Sequence, residues 1–268
     1  MSLLAEERLT LAPLTNVDVG ALCAAAVSYV AFRAHALTGG GALAAFAIGT
    51  ATFGTLGPPG AAVLLTFFIT STLLSRLGRR RKRGLVEAGK AGARDGAQVL
   101  ANGGIAALCA VLAAWGQDHY IAAFAGALAA ANADTWGTEL GTLSPHQPRS
   151  LLTLRPVAAG LSGGVTLLGT AAEVAGAGAI ALVTALVALH GAWAAFAGGV
   201  AGALVDSLLG ASLQALRWCP QCKRACEVDP HACGANTVLV RGAGWFGNDA
   251  VNFAATATGA AVALALSR

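Results

Sequence analysis

Long apolar segments dominate the chain, and each has about the length that a helix needs to cross a membrane. Runs of roughly 17–25 apolar residues match a hydrocarbon core of ~30 Å. The pattern predicts an all-α, polytopic transmembrane bundle of about eight spans, forming a single integral membrane domain over residues 1–268. The predicted spans lie near residues 19–37, 40–57, 59–77, 97–115, 119–141, 163–187, 191–214 and 249–266.

Glycine and alanine are frequent inside these segments. The first two spans are Gly/Ala-rich and joined by Gly39-Gly40-Gly41, so seven or nine spans are alternatives. Pairs such as Gly198 and Gly202 repeat at the spacing of one helix face. Small residues let helix backbones approach closely in a membrane, so we expect a tight bundle.

Composition supports a membrane protein and places its charge on one side. The chain is 56% hydrophobic and 11% charged, which excludes an ordinary soluble domain and gives no indication of a nucleic-acid partner. An excess of Lys and Arg marks the loop at 76–98 as cytoplasmic. Alternation then makes the loops at 142–162 and 215–248 cytoplasmic, and we expect residence in a prokaryotic inner membrane. The basic residues of the first loop are Arg76, Arg79, Arg80, Arg81, Lys82, Arg83, Lys90 and Arg94.

Four aspartates lie in or beside the predicted spans, on the side of the basic loop: Asp95, Asp134, Asp206 and Asp249. Each ionisable group inside a membrane costs roughly 2.5–3.5 kcal/mol on insertion scales and therefore indicates a functional site. We take all four as candidate catalytic residues.

A polar stripe precedes and enters the fourth predicted span. Asp95, Gln98 and Asn102 share one helix face, and Lys90 and Arg94 stand one helical turn apart just before it. The stripe is a candidate binding surface, and the two cations favour contact with phosphate over simple solvation.

The fifth predicted span ends in oxygen-bearing side chains. Asn132, Thr135 and Glu139 share a face beside Asp134. Carboxylates with amide and hydroxyl neighbours suit Mg²⁺, which also keeps waters and substrate phosphates as ligands. Polarity at a helix end is the structural alternative.

A Gly-rich turn follows Arg155 and leads into the sixth predicted span through Ser162, Gly163 and Gly164. Backbone N–H groups at a helix N-terminus can bind an anion. The turn lacks the Gly-Lys-Ser/Thr of a P-loop, so it predicts a phosphate contact without that fold.

Two later spans carry further polar stripes. One begins at Asp206, and the other contains Asn248, Asp249 and Asn252. Such stripes face a bundle interior or a wet cavity.

Cysteines cluster between the last two spans. Cys219, Cys222, His231 and Cys233 can supply four ligands to a structural Zn²⁺ ion, with Cys226 left over. Free thiols in a folded loop are the alternative.

Several motifs together resemble the transmembrane protein 19 family of integral membrane proteins, which includes plant phytyl-phosphate kinase. They begin at Gly96, Ala133, Ser162, Asp206 and Asn248 and read GAQVLANGG, ADTWGTELG, SGGV, DSLLGA and NDAVN. A looser likeness to CTP-dependent polyprenol kinases lies in Asp134, Arg155 and the Gly/Ser turn.

These resemblances imply a membrane kinase that transfers a phosphoryl group from a nucleotide, CTP by the second likeness, to an isoprenyl monophosphate. Mg²⁺ would bind at Asp134, Asp206 and Asp249, with Glu139 in support, and the cations would hold phosphates. The lipid bilayer, the nucleotide and the prenyl phosphate are the expected partners. An ion-coupled transporter and a CTP-dependent lipid cytidylyltransferase are the alternatives, and the sequence leaves the oligomeric state open.

Overall fold

The computed structural model describes residues 3–77 and 92–268, with side chains from residue 17 onward. The predicted basic residues from Arg79 to Arg83, and Lys90, lie outside the described residues. The helices are α1 (Leu3–Arg33), α2 (Gly39–Arg76), α3 (Gly96–Ala114), α4 (His119–Gly141), α5 (Leu167–Leu186), α6 (Ala192–Ser212) and α7 (Asn248–Leu266).

Five of these helices are long and apolar enough to cross a membrane: α2, α3, α5, α6 and α7. The chain is therefore mostly helical with several candidate spans, as the sequence predicts. The count of about eight spans goes beyond these five and stays a prediction, as does the cytoplasmic side of the loops.

Helix α2 is folded back on itself at Gly57. A straight helix of 38 residues would be about 57 Å long. Arg76, at the end of α2, instead donates to the carbonyl of Ala34, just before its start, over 3.2 Å. The reversal occurs at Gly57, which has φ 60° and ψ −154° and precedes Pro58 and Pro59. Glycine tolerates this left-handed conformation, and the prolines lack the N–H groups that would continue the first helix. The two halves of α2 correspond to the predicted spans 40–57 and 59–77.

Helix α4 forms the centre of the bundle. Its residues from Ala122 to Ala133 are all buried, and it packs against α3, α5, α6 and α7. Close approach depends on glycine at the contacts: a Cβ added to Gly198 would lie 2.3 Å from the carbonyl oxygen of Gly259 on α7. At Gly202 it would lie 2.4 Å from the Cβ of Ala130 on α4. The expected tight, small-residue packing is therefore observed.

Short strands modify the all-α prediction. Strands β1 (Arg149–Ser150) and β2 (Gly164–Val165) pair between α4 and α5. Between α6 and α7, β3 (Leu216–Cys219), β4 (Arg224–Cys226) and β5 (Val238–Arg241) form an antiparallel sheet in the order β4-β3-β5. Pairing satisfies backbone groups that no helix uses in these connections.

Candidate functional site

The carboxylates of Asp134 on α4 and Asp206 on α6 lie within hydrogen-bonding distance of each other. The side chain of Thr138, one turn after Asp134, also bonds to the Asp134 carboxylate. Two aspartates that the sequence places on separate spans therefore form one site where α4 and α6 meet.

Asparagine side chains extend this pair to two further helices. With the amide of Asn252 oriented to suit its neighbours, its nitrogen donates to Asp206 Oδ2 over 3.2 Å and its oxygen accepts from Asn102 Nδ2 over 3.3 Å. The nitrogen also donates to the carbonyl of Asn248 over 3.3 Å. The predicted polar residues of α3, α6 and α7 thus meet in one network. Asp249 stands in the first turn of α7, next to Asn248.

Glu173 on α5 belongs to this site, although the sequence reasoning did not single it out. Its side chain lies against α4, where a Cβ added to Gly137 would come within 2.5 Å of Glu173 Cγ and 2.8 Å of Oε1. Its negative charge acts on Asp134. The signal was available, because Glu173 is an ionisable residue inside an apolar span and meets the same criterion as the aspartates.

Arg94 and Glu139 lie beside the same end of the bundle. Arg94 is fixed by its backbone, whose N–H donates to Ala36 O over 2.9 Å and whose carbonyl accepts from Thr38 N over 3.0 Å. Burial lowers the pKa of the Arg94 guanidinium, and the negative charge of Glu139 opposes that shift. An arginine stays charged under such a shift, so a half-buried cation is held close to the acids.

Asp95 and Gln98 have a structural task. Asp95 Oδ1 accepts from the Gln98 N–H over 3.0 Å, and Gln98 Oε1 accepts from the Asp95 N–H over 3.3 Å. This reciprocal capping box begins α3 and satisfies two N–H groups at the helix start. The capping box gives Asp95 a structural role, and its spacing of acid and glutamine is readable in the sequence.

Asn132 is also engaged by the fold. It is fully buried, accepts from Thr70 Oγ1 over 3.0 Å and donates to the carbonyl of Gly176 over 2.8 Å. Both ends of its amide join α4 to neighbouring helices. Thr135 donates to the carbonyl of Ala131 over 2.8 Å and borders the cavity described below.

The Gly/Ser turn differs from its prediction. Helix α5 begins only at Leu167, capped by Thr166, so residues 162–164 precede the helix and lie outside its N-terminal turn. The Ser162 N–H donates to Glu227 Oε1 over 2.7 Å, and the Gly164 N–H donates to the carbonyl of Leu161 over 3.2 Å. Two of the N–H groups expected to hold phosphate are therefore used within the protein. Arg155 is exposed on the preceding loop.

Glu227 is a second acid that sequence reasoning did not identify. Its Oε2 accepts from Ser162 Oγ over 2.9 Å and from Gln214 Nε2 over 3.0 Å. Burial raises the pKa of Glu227, while the hydrogen bonds from Ser162 and the charge of Arg241 oppose that shift.

A cavity, partly open to the surroundings, leads to this polar region. Most of its wall is apolar and comes from α1, both halves of α2 and α3, including Ala31, Ile48, Phe53, Leu64, Phe68 and Val99. Arg94, Gln98 and Asn102 line its polar part, and Asn102 connects it to Asp206 through Asn252. The arrangement suits a molecule with a hydrocarbon tail and an anionic head.

The acidic cluster fits a divalent cation by its chemistry. Two carboxylates within hydrogen-bonding distance repel each other strongly when both are charged. Either one of them takes up a proton, or a bound cation offsets the repulsion. Mg²⁺ binds carboxylate oxygens and keeps places for phosphate and water. The side chains that could hold it are Asp134 and Asp206, with Glu173 facing the same pair.

The predicted Cys/His ligands converge in the segment between α6 and α7. The ligand atoms of Cys219, Cys222, His231 and Cys233 all lie within 4.8 Å of one another. Cys226, the residue expected to be left over, is buried outside this group, with its thiol 3.8 Å from the carbonyl of Val228.

The fold and the site define a helical integral membrane protein with an acidic site beside an apolar cavity. The chain belongs to the DUF92 family of integral membrane proteins, whose model matches residues 22–260.

The chain is similar in sequence to proteins of three organisms. Protein PGR of Arabidopsis thaliana is 35% identical over 225 residues, covering 72% of this chain and 78% of the relative. An uncharacterized membrane protein of Methanocaldococcus jannaschii is 39% identical over 155 residues, covering 56% of this chain and 63% of the relative. An uncharacterized membrane protein of Synechocystis is 28% identical over 183 residues, covering 63% and 69%. No solved structure matches the chain. The family resemblance inferred from the motifs is confirmed.

Proposed function

We propose that this protein is a membrane kinase that transfers a phosphoryl group from a nucleoside triphosphate, CTP by the likeness described above, to an isoprenyl monophosphate. The observation that carries the proposal is the joining of an apolar cavity to an acidic cluster through Asn102 and Asn252. A prenyl monophosphate has the same two parts, since an apolar chain ends in an anion.

The cavity supports the acceptor half of the reaction. The prenyl chain lies among the apolar side chains of α1, α2 and α3. Arg94 binds the acceptor phosphate at the polar part of the cavity, because its guanidinium offers several donors in a plane. Lys90 and Arg155 remain proposed phosphate contacts.

The acidic cluster supports the donor half. Asp134 and Asp206 hold Mg²⁺, with Asp249, Glu139 and Glu173 as further acids at the same end. The bound ion supplies charge neutralisation on the donor phosphates, the main requirement of phosphoryl transfer.

The transfer itself requires little from the protein. An oxygen of the prenyl phosphate attacks the terminal phosphorus of the nucleotide, and the bond from that phosphorus to the bridging oxygen breaks. The products are a prenyl diphosphate and a nucleoside diphosphate. A phosphate oxygen is already ionised at neutral pH, so no side chain has to act as a general base.

The test uses purified protein in detergent with Mg²⁺, either CTP or ATP, and phytyl or geranylgeranyl monophosphate. We expect prenyl diphosphate and nucleoside diphosphate in equal amounts, and none from Asp134→Asn. Pyrophosphate release with a nucleotide-linked lipid would establish a cytidylyltransferase instead. Folded protein that consumes no nucleotide with any prenyl phosphate would overturn the proposal and favour the transporter.

A further inference from the structure

The segment between α6 and α7 carries four ligand atoms in the arrangement of a tetrahedral metal site. Cys219 Sγ and Cys233 Sγ are 3.6 Å apart, and His231 Nδ1 lies 3.2 Å from Cys233 Sγ. Two thiolates on one Zn²⁺, each about 2.3 Å from the ion, are separated by about 3.8 Å in tetrahedral geometry. A disulfide would require a sulfur separation of about 2.05 Å, and all of these cysteines are free.

The backbone prepares this group of ligands. β3 and β4 pair antiparallel up to Cys219 and Arg224, and the turn between them includes Lys223 at φ 52°. The turn directs the N–H of Cys222 toward Cys219 Sγ over 3.4 Å. An N–H group donating to sulfur favours the thiolate, which is the form that binds a metal.

A second group of contacts, all made by Asp229, fixes the part of the segment that carries His231 and Cys233. Asp229 Oδ2 accepts from Arg217 Nη1 on β3 over 3.2 Å, and Asp229 Oδ1 accepts from Thr237 N over 2.9 Å. The first of these contacts holds Asp229, two residues before His231, against β3. The ligands from two distant parts of the segment therefore meet because of several independent contacts.

The segment also contacts the helical bundle near the start of α5 and the end of α6. Glu227 directly follows β4 and binds Ser162 and Gln214 through both carboxylate oxygens. Ser162 belongs to the connection between α4 and α5, and Gln214 follows α6. The position of the β3–β4 hairpin thus determines whether Glu227 reaches Ser162.

We propose that Cys219, Cys222, His231 and Cys233 bind one Zn²⁺ ion, which fixes the β3–β4 hairpin and so holds Glu227 against Ser162. Four protein ligands close the coordination sphere, so the ion is structural and does not touch substrate. The proposal does not depend on the nucleotide chemistry proposed above.

The experiment measures metal content by mass spectrometry in protein purified in detergent, without added zinc. We expect about one zinc per wild-type chain and little in Cys222→Ser. Cys226→Ser is the matched control, because it removes a cysteine four residues away but outside the ligand group, and it should keep the metal. Hydrogen exchange at residues 160–164 should rise in Cys222→Ser and stay unchanged in Cys226→Ser.

The wild-type protein provides a readout that does not depend on how the variants fold. A chelator in excess should release zinc in step with the increase in hydrogen exchange at residues 160–164. Folded wild-type protein without bound zinc, or equal zinc loss in Cys226→Ser and Cys222→Ser, would overturn the proposal.

Discussion

Asp134 on α4 and Asp206 on α6 place their carboxylates within hydrogen-bonding distance at the end of a helical membrane bundle. This contact joins two acids that stand far apart in sequence, each of them on a largely apolar helix. Like charges this close require a proton or a cation between them. The pair is therefore the part of the molecule on which the proposed chemistry depends most.

Replacing either aspartate by asparagine should strongly reduce turnover while preserving the fold. Asp134→Asn and Asp206→Asn keep the hydrogen bond between the two side chains but remove the charge that a cation needs. We expect a loss of about 100-fold or more in kcat/KM, as when one electrostatic contact to a transition state is removed. Prenyl diphosphate formation as a function of Mg²⁺ concentration measures the effect.

Asp95→Asn is the control for that experiment. Asparagine is an equally good N-cap, so this variant should keep both the capping of α3 and the activity. A large loss of activity in Asp95→Asn would contradict the structural role and restore Asp95 as a catalytic residue.

Glu173 should be needed for metal affinity. Glu173→Gln keeps the size of the side chain beside Gly137 but removes a negative charge near Asp134. We expect a higher concentration of Mg²⁺ for half-maximal activity, by about 10-fold.

Gly137→Ala tests the same contact by shape. Its added Cβ would meet Glu173 Cγ at 2.5 Å, so the carboxylate has to move. A displacement of about 1 Å at a reacting site can cost about 100-fold in rate. Gly104→Ala is the matched control, because a Cβ at Gly104 meets nothing within 4 Å. Equal rates for the two variants would argue against a role for Glu173.

Narrowing the cavity should change which prenyl chains are accepted. Ala45 lines the cavity, so Ala45→Phe fills space that a long chain needs. We expect kcat/KM for geranylgeranyl monophosphate to fall about 10-fold or more, with a smaller loss for geranyl monophosphate. Leu43→Phe adds a ring on the same helix at a side chain that is 69% exposed, and it should leave the ratio of the two substrates unchanged. An unchanged ratio in Ala45→Phe would place the prenyl chain elsewhere.

The contact of Glu227 should make stability depend on pH. Burial raises the pKa of Glu227 in the folded protein above its ordinary value of 4.5, against the opposing influence of Ser162 and Arg241. The folded state thus holds this proton more tightly than the unfolded state. The resulting stabilisation is fully present below the ordinary value and is lost as pH rises through the raised folded value.

Glu227→Gln removes this titration and keeps an acceptor for Ser162. The unfolding temperature of the variant minus that of the wild type should therefore increase with pH across this window. The measurement is a thermal unfolding series in detergent, with Asp206 and Arg241 left in place as the charged groups near Glu227. A difference that does not vary with pH would show that Glu227 is not titrating in this contact.

Local pattern was sufficient for several parts of the structure. Hydropathy located the long helices, because the length and apolar composition of a segment can be read without knowing its neighbours. The acids at Asp134 and Asp206 were recognisable from their cost in an apolar helix. The ligand group at Cys219 was recognisable from spacing, because its members lie close together in sequence.

Other roles depended on helix ends that the pattern of acids did not reveal. Asp95 caps α3, and the Ser162 turn stops short of α5 because Thr166 begins that helix. Both assignments depend on the residue at which a helix begins. If a helix begins a few residues later than predicted, N–H groups expected at its start belong to the preceding turn instead.

The sequence by itself determined that this chain is a helical membrane protein of the DUF92 family with acids at costly positions. Only the tertiary structure decided which acids meet. Asp134 contacts Asp206, Glu173 lies close to Asp134, and Glu227 accepts a hydrogen bond from Ser162. The physical reason is that such contacts form between helices and loops distant in sequence. Their geometry follows from close packing at glycines such as Gly137 and Gly198, which no local pattern specifies.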